Sequence, residues 1–121
     1  MPQISIIAEY ETVDGREAEF AALIGDHARR TRIEEPGCLR FEVLKPVDAD
    51  GAPIPNRMMV SELYADHTAF AAHGENPRLA GLRVALGPLL SSRKLTVAEV
   101  VGGQAQESGL TPDELNASND G

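Results

Sequence analysis

The chain has 121 residues, 42% of them hydrophobic and 25% charged, and a formal net charge of −8 at pH 7. These values suit one compact globular domain rather than two. The acidic balance argues against nucleic-acid binding, which requires clustered Lys and Arg. No basic-then-apolar leader and no apolar run of membrane-spanning length occurs, and the single cysteine, Cys38, cannot form an intrachain disulfide. We therefore expect a soluble, cytoplasmic domain.

The first third of the chain predicts a strand followed by a helix. Hydrophobicity alternates over residues 3–11, the pattern of a strand with one buried face. The residues on that face are Ile4, Ile6, Ala8 and Tyr10. After a turn at Asp14-Gly15, apolar residues recur at helical spacing to about residue 34. The residues of this helical stripe are Phe20, Leu23, Ile24 and His27.

A Pro36-Gly37 pair ends this helix, because proline pushes the preceding residue out of the helical region and glycine is free to adopt the turn. Residues 38–45 then alternate as a second strand. One face is expected to carry Leu39, Phe41 and Val43, and the other Cys38, Arg40, Glu42 and Leu44. Residues 46–56 have the composition of a long loop, expected to be a mobile rim or a partner contact.

The remaining pattern predicts a third strand, two short helices and a fourth strand. The third strand carries Met58, Val60, Glu62 and Tyr64 on one face. Asp66 is placed to cap a helix that bears Phe70 and His73 on one side. Pro77 opens a further helix to about residue 86, and a last strand is expected over residues 93–101.

The order strand, helix, strand, strand, helix, strand is that of the ferredoxin-like split βαβ fold, an α+β class with a four-stranded antiparallel sheet. The second face of the strands is also apolar, so we expect it to be buried in a homodimer. Its apolar residues include Ile7, Leu44, Met59 and Leu63. Residues 1–101 form the expected domain, and residues 102–121 an acidic tail that is flexible or contacts a partner. Within the tail, Thr111–Leu115 has the pattern of a short helical turn.

Three motifs follow one another between residues 35 and 73. They are Glu35-Pro36-Gly37-Cys38 with its alternating strand, Glu62-Leu63-Tyr64-Ala65-Asp66, and Ala69-Phe70-Ala71-Ala72-His73. In this order and spacing, the series resembles the antibiotic biosynthesis monooxygenase (ABM) domain family. The resemblance implies a dimeric α+β barrel. It also implies a monooxygenase or oxidase that acts with O2 on a phenolic, quinol or polyketide-like aromatic substrate, without flavin, haem or metal.

With this resemblance, His73 is the first candidate catalytic residue, because a neutral imidazole accepts a proton from an acidic hydroxyl. The alternative is a structural histidine that bonds a backbone carbonyl. Tyr64 is the second catalytic candidate, to orient the substrate; the alternative is a core residue with a wet hydroxyl. The expected substrate-binding residues are Phe41, Glu62, Phe70 and Arg40, with Arg40 also a candidate partner for Glu62.

Other chemistries find less support in the residues. A metal site needs three or four converging ligands, and His67 and His73 point about 120° apart on a helix, so no metal is expected. Cys38 is expected to be a small buried thiol. Haem-degrading relatives of the resembled family tend to need a Trp, and this chain has none, so the resemblance does not imply haem degradation. Two alternatives stay open: a small-molecule isomerase that uses His73 as a proton shuttle, and a non-catalytic dimeric ligand-binding or stress-response protein.

Overall fold

The computed structural model describes residues 2–103, which form an α+β domain with one four-stranded sheet. In chain order the elements are β1 (Ile4–Thr12), α1 (Glu17–Glu34), β2 (Cys38–Leu44), β3 (Arg57–Tyr64), α2 (His67–Gly74), α3 (Pro77–Leu86), a 3-10 turn (Gly87–Leu89) and β4 (Leu90–Glu99). The ferredoxin-like architecture is confirmed. The helical turn expected at Thr111–Leu115 lies outside the described residues.

The sheet has the strand order β2-β3-β1-β4, and all neighbouring strands are antiparallel. Ile6 of β1 lies opposite Glu62 of β3 on one side and Val97 of β4 on the other. Alternate residues point to the same face, so these three side chains share one face of the sheet. Within residues 2–103, no helix has the length and apolar character needed to cross a membrane.

The core lies between this face and the helices, and the alternation predicted for β1 is confirmed. In β3 every side chain from Val60 to Tyr64 is buried, so Leu63, expected on the second face, is already covered within the single chain. One cluster of buried residues contains Ala8, Phe20, Ile24, Met58, Val60, Leu86 and Leu89. A second cluster contains Ile4, Ile6, Cys38 and Tyr64, with Phe41, Ala69 and Phe70 packed against it. A fully buried side chain such as Phe20 contributes about 1.5–3 kcal/mol through the removal of apolar surface from water.

The face predicted for Cys38 in β2 is wrong. Cys38 lies opposite Tyr64, but Arg40 lies opposite Leu63, so the pairing register skips Leu39. This bulge reverses the alternation, because one extra residue moves every later side chain to the other face. Cys38 therefore packs in the same cluster as Phe41, while Arg40 points to the opposite face of the sheet.

The turn after α1 joins the helix to the start of α2. Glu35 has extended backbone angles, φ −117° and ψ 99°, as expected before a proline. Gly37 is needed for a different reason from the predicted one: a Cβ at this position would overlap with the Cβ of Ala69 in α2. The Gly37 carbonyl also accepts a hydrogen bond of 2.9 Å from the Ala65 backbone N–H. The end of α1 is thus held against the beginning of α2.

Side-chain caps define both short helices. Asp66 accepts a hydrogen bond of 2.8 Å from the Ala69 backbone N–H, which confirms the cap predicted for α2. Asn76 accepts from the Arg78 backbone N–H at 2.9 Å, and Pro77 occupies the first position of α3. The last strand begins at Leu90, three residues before the predicted start. It follows directly on the 3-10 turn, whose last residue, Leu89, is buried in the core.

Candidate active site

A cavity of about 150 Å³ lies between the sheet and the three helices. All four strands and all three helices contribute to its wall. The lining residues are Ile6, Tyr10, Ile24, His27, Phe41, Glu62, Phe70, His73, Gly74, Leu79, Leu82, Arg83, Leu86, Arg93 and Leu95. The wall is mainly apolar and contains a small number of buried titratable groups, which is the usual character of a small-molecule site.

His73 is fixed by a carboxylate from the end of α1. Its Nδ1 lies 2.9 Å from Oε1 and 3.1 Å from Oε2 of Glu35, and the imidazole is buried. A carboxylate accepts hydrogen bonds, so Nδ1 carries a proton, and in the neutral form of this imidazole Nε2 holds the lone pair. His73 Nε2 lies 4.0 Å from Oε1 of Glu62, on the cavity side.

Two residues at the start of α3 hold Glu35 in place. Asn76 donates from Nδ2 to Oε2 of Glu35 at 3.0 Å, and Arg78 Nη2 lies 3.5 Å from the same oxygen. Asn76 and Arg78 thereby fix the carboxylate that accepts the hydrogen bond from His73. This arrangement orients the imidazole as the carboxylate of a catalytic triad does, with a group of fixed tautomer facing the space where a substrate can bind.

Glu62 and Tyr64 form a buried pair on β3. The Tyr64 hydroxyl donates to Oε1 of Glu62 at 2.6 Å, and both side chains are buried. Burial raises the pKa of Glu62 to about 7, although the Tyr64 hydrogen bond lowers it, and the negative charge of Glu35 raises it further. Burial, followed by the charge of Glu62, raises the pKa of the Tyr64 hydroxyl. Near neutral pH, Tyr64 is protonated, and Glu62 holds its proton to a higher pH than an exposed carboxyl does.

His27 of α1 brings a second imidazole to the cavity. Its Nδ1 lies 2.7 Å from Nη1 of Arg78, and its ring centroid lies 5.3 Å from that of His73. The ring also packs edge-on against Phe41 at 5.5 Å between centroids. Burial lowers the pKa of His27 to about 4, with further lowering by His73 and by the positive charge of Arg78. His27 is therefore neutral at physiological pH.

The structure brings most of the predicted site residues together, but not all of them. Phe41, Glu62, Phe70 and His73 line the cavity. Tyr64 does not line it, because its ring packs 5.3 Å from His73 and its hydroxyl is directed to Glu62. Arg40 lies on the opposite face of the sheet, where it contacts Glu42 at 3.3 Å and Ser61 at 3.5 Å.

Cys38 is a buried thiol next to the site. Burial raises the pKa of Cys38 to about 11, so it is a thiol at neutral pH, as expected for a small buried residue.

Arg83 and Arg93 lie at the exposed side of the cavity, and neither makes an ion pair within residues 2–103. A chain with an acidic balance thus presents positive charge where a ligand would enter.

Four polar residues of this site were missed from the sequence: Glu35, Asn76, Arg78, and His27 as a polar group. The sequence places Glu35 in the motif series and His27 in the apolar stripe of the first helix, and neither pattern predicts a polar contact in the cavity. A usable signal was present in Asn76-Pro77, a pattern typical of a helix start, which places Arg78 in the first turn of α3. That signal does not reveal which distant residues Arg78 meets.

The fold and the cavity define a ferredoxin-like α+β domain with a cavity of small-molecule size between sheet and helices. The family model described as antibiotic biosynthesis monooxygenase (ABM) matches residues 3–80. The match covers more than half of the chain, so the chain belongs to the ABM family, as the motif series predicted. No protein with curated function matches the chain.

Solved structures share the fold at low sequence identity. SnoaB, a cofactor-independent oxygenase from Streptomyces nogalater whose structure is of a mutant form, is 18% identical with a TM-score of 0.70, covering 86% of this chain and 98% of that one. Rv0793 from Mycobacterium tuberculosis is 22% identical with a TM-score of 0.71, covering 84% and 98%. Protein SO0527 from Shewanella oneidensis is 23% identical with a TM-score of 0.70, covering 82% and 91%.

Proposed function

We propose that this ABM-family chain is a cofactor-independent monooxygenase that oxidises a phenolic or quinol substrate with O2 in the cavity beside His73. The observation that carries the proposal is the His73–Glu35 contact of 2.9 Å beside an aromatic-walled cavity. This contact selects the tautomer of the neutral imidazole in which Nε2 is the nitrogen that can accept a proton. Family membership and the fold shared with the oxygenase SnoaB support the same reaction class.

The chemistry requires few protein groups. His73 Nε2 takes the proton of the substrate hydroxyl, and Glu35 stabilises the imidazolium that forms. The resulting electron-rich phenolate transfers an electron to O2, and the two radicals combine to form a carbon–oxygen bond. Loss of water then gives the quinone, with one oxygen atom in the product and one in water. The four electrons that reduce O2 all come from the substrate, so no external reductant is required.

The cavity residues divide the remaining work between them. Phe41 and Phe70 form the aromatic wall that excludes water, and Glu62 hydrogen-bonds a substrate oxygen. Tyr64 acts through Glu62, because its hydroxyl is committed to that carboxylate, so it is a positioning residue. A volume of about 150 Å³ suits one aromatic ring, with a second fused ring extending towards the mouth. A one- or two-ring quinol is therefore the proposed substrate.

Oxygen-electrode measurements with a panel of one- and two-ring quinols test this function. We expect O2 consumption with a kcat that falls about 10²–10⁴-fold in His73→Asn, because a positioned general base is lost. His67→Asn is the matched control, since His67 is exposed on the same helix and lies outside the cavity. Unchanged turnover in His73→Asn would remove His73 from the mechanism, and no O2 consumption with any quinol would reject the function.

An isomerase is the second candidate function, and the 4.0 Å separation of His73 Nε2 and Glu62 Oε1 favours it specifically. Two titratable groups at this spacing can remove a proton from one substrate atom and return it to another. Anaerobic incubation distinguishes the two reactions, because isomerisation proceeds without O2 and the proposed oxidation does not. A non-catalytic ligand-binding role finds less support, because such a role needs no base of fixed tautomer in the cavity.

We also propose that the chain works as a homodimer in which the uncovered sheet faces meet. Ile7 and Met59 are only partly buried on that face, and Leu44 is 37% exposed at its edge. Contact with a second copy would remove this apolar surface from water.

A further inference from the structure

His27 is a buried titratable group for which the reaction described above has no use. It is 4% exposed, lines the cavity, and places its ring 5.3 Å from that of His73. A polar ring in the wall of an apolar cavity is unfavourable unless each of its nitrogen atoms has a partner. The partners of the two nitrogen atoms therefore decide what this residue can do.

Arg78 determines the tautomer of His27. A guanidinium has only N–H donors and stays protonated in proteins, so Nη1 of Arg78 donates to Nδ1 of His27 at 2.7 Å. Nδ1 must then hold the lone pair, and the ring proton is on Nε2. His73 has the opposite arrangement, because Glu35 accepts from its Nδ1. One imidazole presents an N–H and the other a bare nitrogen, in the same cavity.

The Nε2–H of His27 has no hydrogen-bond partner within residues 2–103. Arg78 occupies the Nδ1 side of the His27 ring. His27 lines the cavity, so its Nε2 edge is the one available to a ligand there. The Nε2 atom is not among the fully buried polar atoms that lack a partner, so this edge of the ring reaches accessible space at the cavity wall, where a ligand can supply an acceptor. The low pKa of His27, about 4, keeps this donor neutral over the pH range in which a phenol ionises.

We propose that His27 Nε2–H donates a hydrogen bond to the substrate oxygen that loses its proton to His73. His27 is thus the oxyanion-binding residue of the site, and its preferred ligand is an ionisable aromatic hydroxyl rather than its methyl ether. The proposal rests on the proposed function for the identity of the substrate. The developing negative charge is met by the N–H of His27, with the positive charge of Arg78 directly behind it.

The direct test measures the apparent pKa of 4-nitrophenol bound to the protein, because its phenolate absorbs visible light and its single ring fits the cavity. We expect the wild-type protein to lower the pKa of the bound probe and to bind 4-nitroanisole more weakly. His27→Phe should raise the pKa of the bound probe by about one unit, since one donor to the anion is lost. His27→Gln keeps an N–H near the position of Nε2 and should retain part of the effect.

Two controls keep the outcome readable. His67→Gln changes an exposed histidine outside the cavity and should leave the pKa of the bound probe unchanged. Thermal unfolding of each variant identifies one that has failed to fold, and His27→Gln serves where His27→Phe does not fold. Equal probe pKa values in wild type, His27→Phe and His27→Gln would overturn the proposal, as would failure of the wild-type protein to bind the probe.

The same variants separate this proposal from the proposed function. With an active quinol, His27→Phe should lower kcat by about 10²–10³-fold, the usual effect of removing one oxyanion donor, with a smaller change in KM. A shifted probe pKa without O2 consumption by any quinol would support the role of His27 and reject the monooxygenase. O2 consumption that depends on His73 but not on His27 would support the monooxygenase and reject the role of His27.

Discussion

The two cavity histidines are nearly in contact and yet are expected to carry their protons on different nitrogens. Glu35 accepts from Nδ1 of His73, whereas Arg78 donates to Nδ1 of His27. Long-range ¹H–¹⁵N NMR spectra at pH 7.5 should therefore show the Nδ1–H form for His73 and the Nε2–H form for His27. In Arg78→Met the lock on His27 is lost, and we expect a mixture of tautomers there. A single Nδ1–H tautomer at His27 in the wild type would contradict the geometry.

The charge of Glu35 should matter more than its ability to form a hydrogen bond. In Glu35→Gln the amide has nearly the same size, but it cannot stabilise an imidazolium and can donate to Nδ1 in the wrong tautomer. We expect kcat with a quinol to fall by about 10²-fold or more, measured as O2 consumption. Glu19→Gln is the control, because Glu19 is exposed on the same helix and pairs with Arg16 outside the site. Equal activities of the two variants would argue against this role.

Glu62 should make folding stability depend on pH. Its pKa in the fold is about 7, above the unfolded value of 4.5, so the folded state holds the proton more tightly. The stability associated with this group is complete below about pH 4.5 and is lost as pH rises through about 7. Glu62→Gln removes that loss and should be more stable than wild type at pH 8, by about 1–3 kcal/mol, with a smaller difference at pH 5.

Urea unfolding of wild type and Glu62→Gln at pH 5 and pH 8 provides the measurement. The informative quantity is the difference in unfolding free energy between wild type and Glu62→Gln. His27 changes the stability of both proteins with pH in the direction opposite to Glu62, and its contribution cancels in this difference. Its pKa is lowered to about 4, so its contribution is present above about pH 6.5 and is lost as pH falls through 4. A wild-type-to-variant difference that does not change with pH would show that Glu62 titrates normally.

At the level of elements, the contact between the α1–β2 turn and α2 positions the site. Gly37→Ala places a Cβ against that of Ala69, so we expect a loss of about 1–3 kcal/mol of stability and a drop in activity as His73 moves from Glu35. Ala69→Gly removes the opposing group, so the loss caused by Gly37→Ala should shrink in that background. Thermal or urea unfolding of the four proteins of this double-mutant cycle measures the coupling.

Gly25→Ala is the matched control for that cycle. Gly25 lies inside α1 with open space where a Cβ would be, so alanine should stabilise the helix by about 0.5–1 kcal/mol. The two glycine substitutions are therefore expected to have opposite signs. A stabilising Gly37→Ala would show that the turn can move away from α2 without cost.

Most element boundaries were predictable because their signals are local. Pro36 ends α1, Asp66 caps α2 and Pro77 opens α3, each through backbone chemistry within one turn. The bulge that skips Leu39 was not predictable, since an inserted residue is visible only in the pairing with β3. For the same reason, the alternation of residues 38–45 assigned Cys38 to the wrong face.

At the level of the whole molecule, the uncovered sheet face should hold two copies together. Light scattering coupled to size exclusion should give twice the chain mass, and Met59→Lys should shift it towards the monomer, because a charge would be buried in the interface. Val84→Lys is the control: Val84 is 78% exposed on α3, away from the proposed contact. A monomeric wild-type protein at all concentrations would reject the homodimer.

The sequence by itself determined the order of the elements, the ferredoxin-like sheet and the placement of Phe41, Glu62, Phe70 and His73 near one another. These follow from hydrophobic period, helix signals and the family motif series, all of which act over short stretches of chain. Only the tertiary structure decided the protonation pattern of the site. The Glu35–His73 and His27–Arg78 contacts join residues 38 and 51 positions apart, and no local pattern reports which distant donor or acceptor meets an imidazole. The identity of that partner determines which ring nitrogen of each histidine carries the proton.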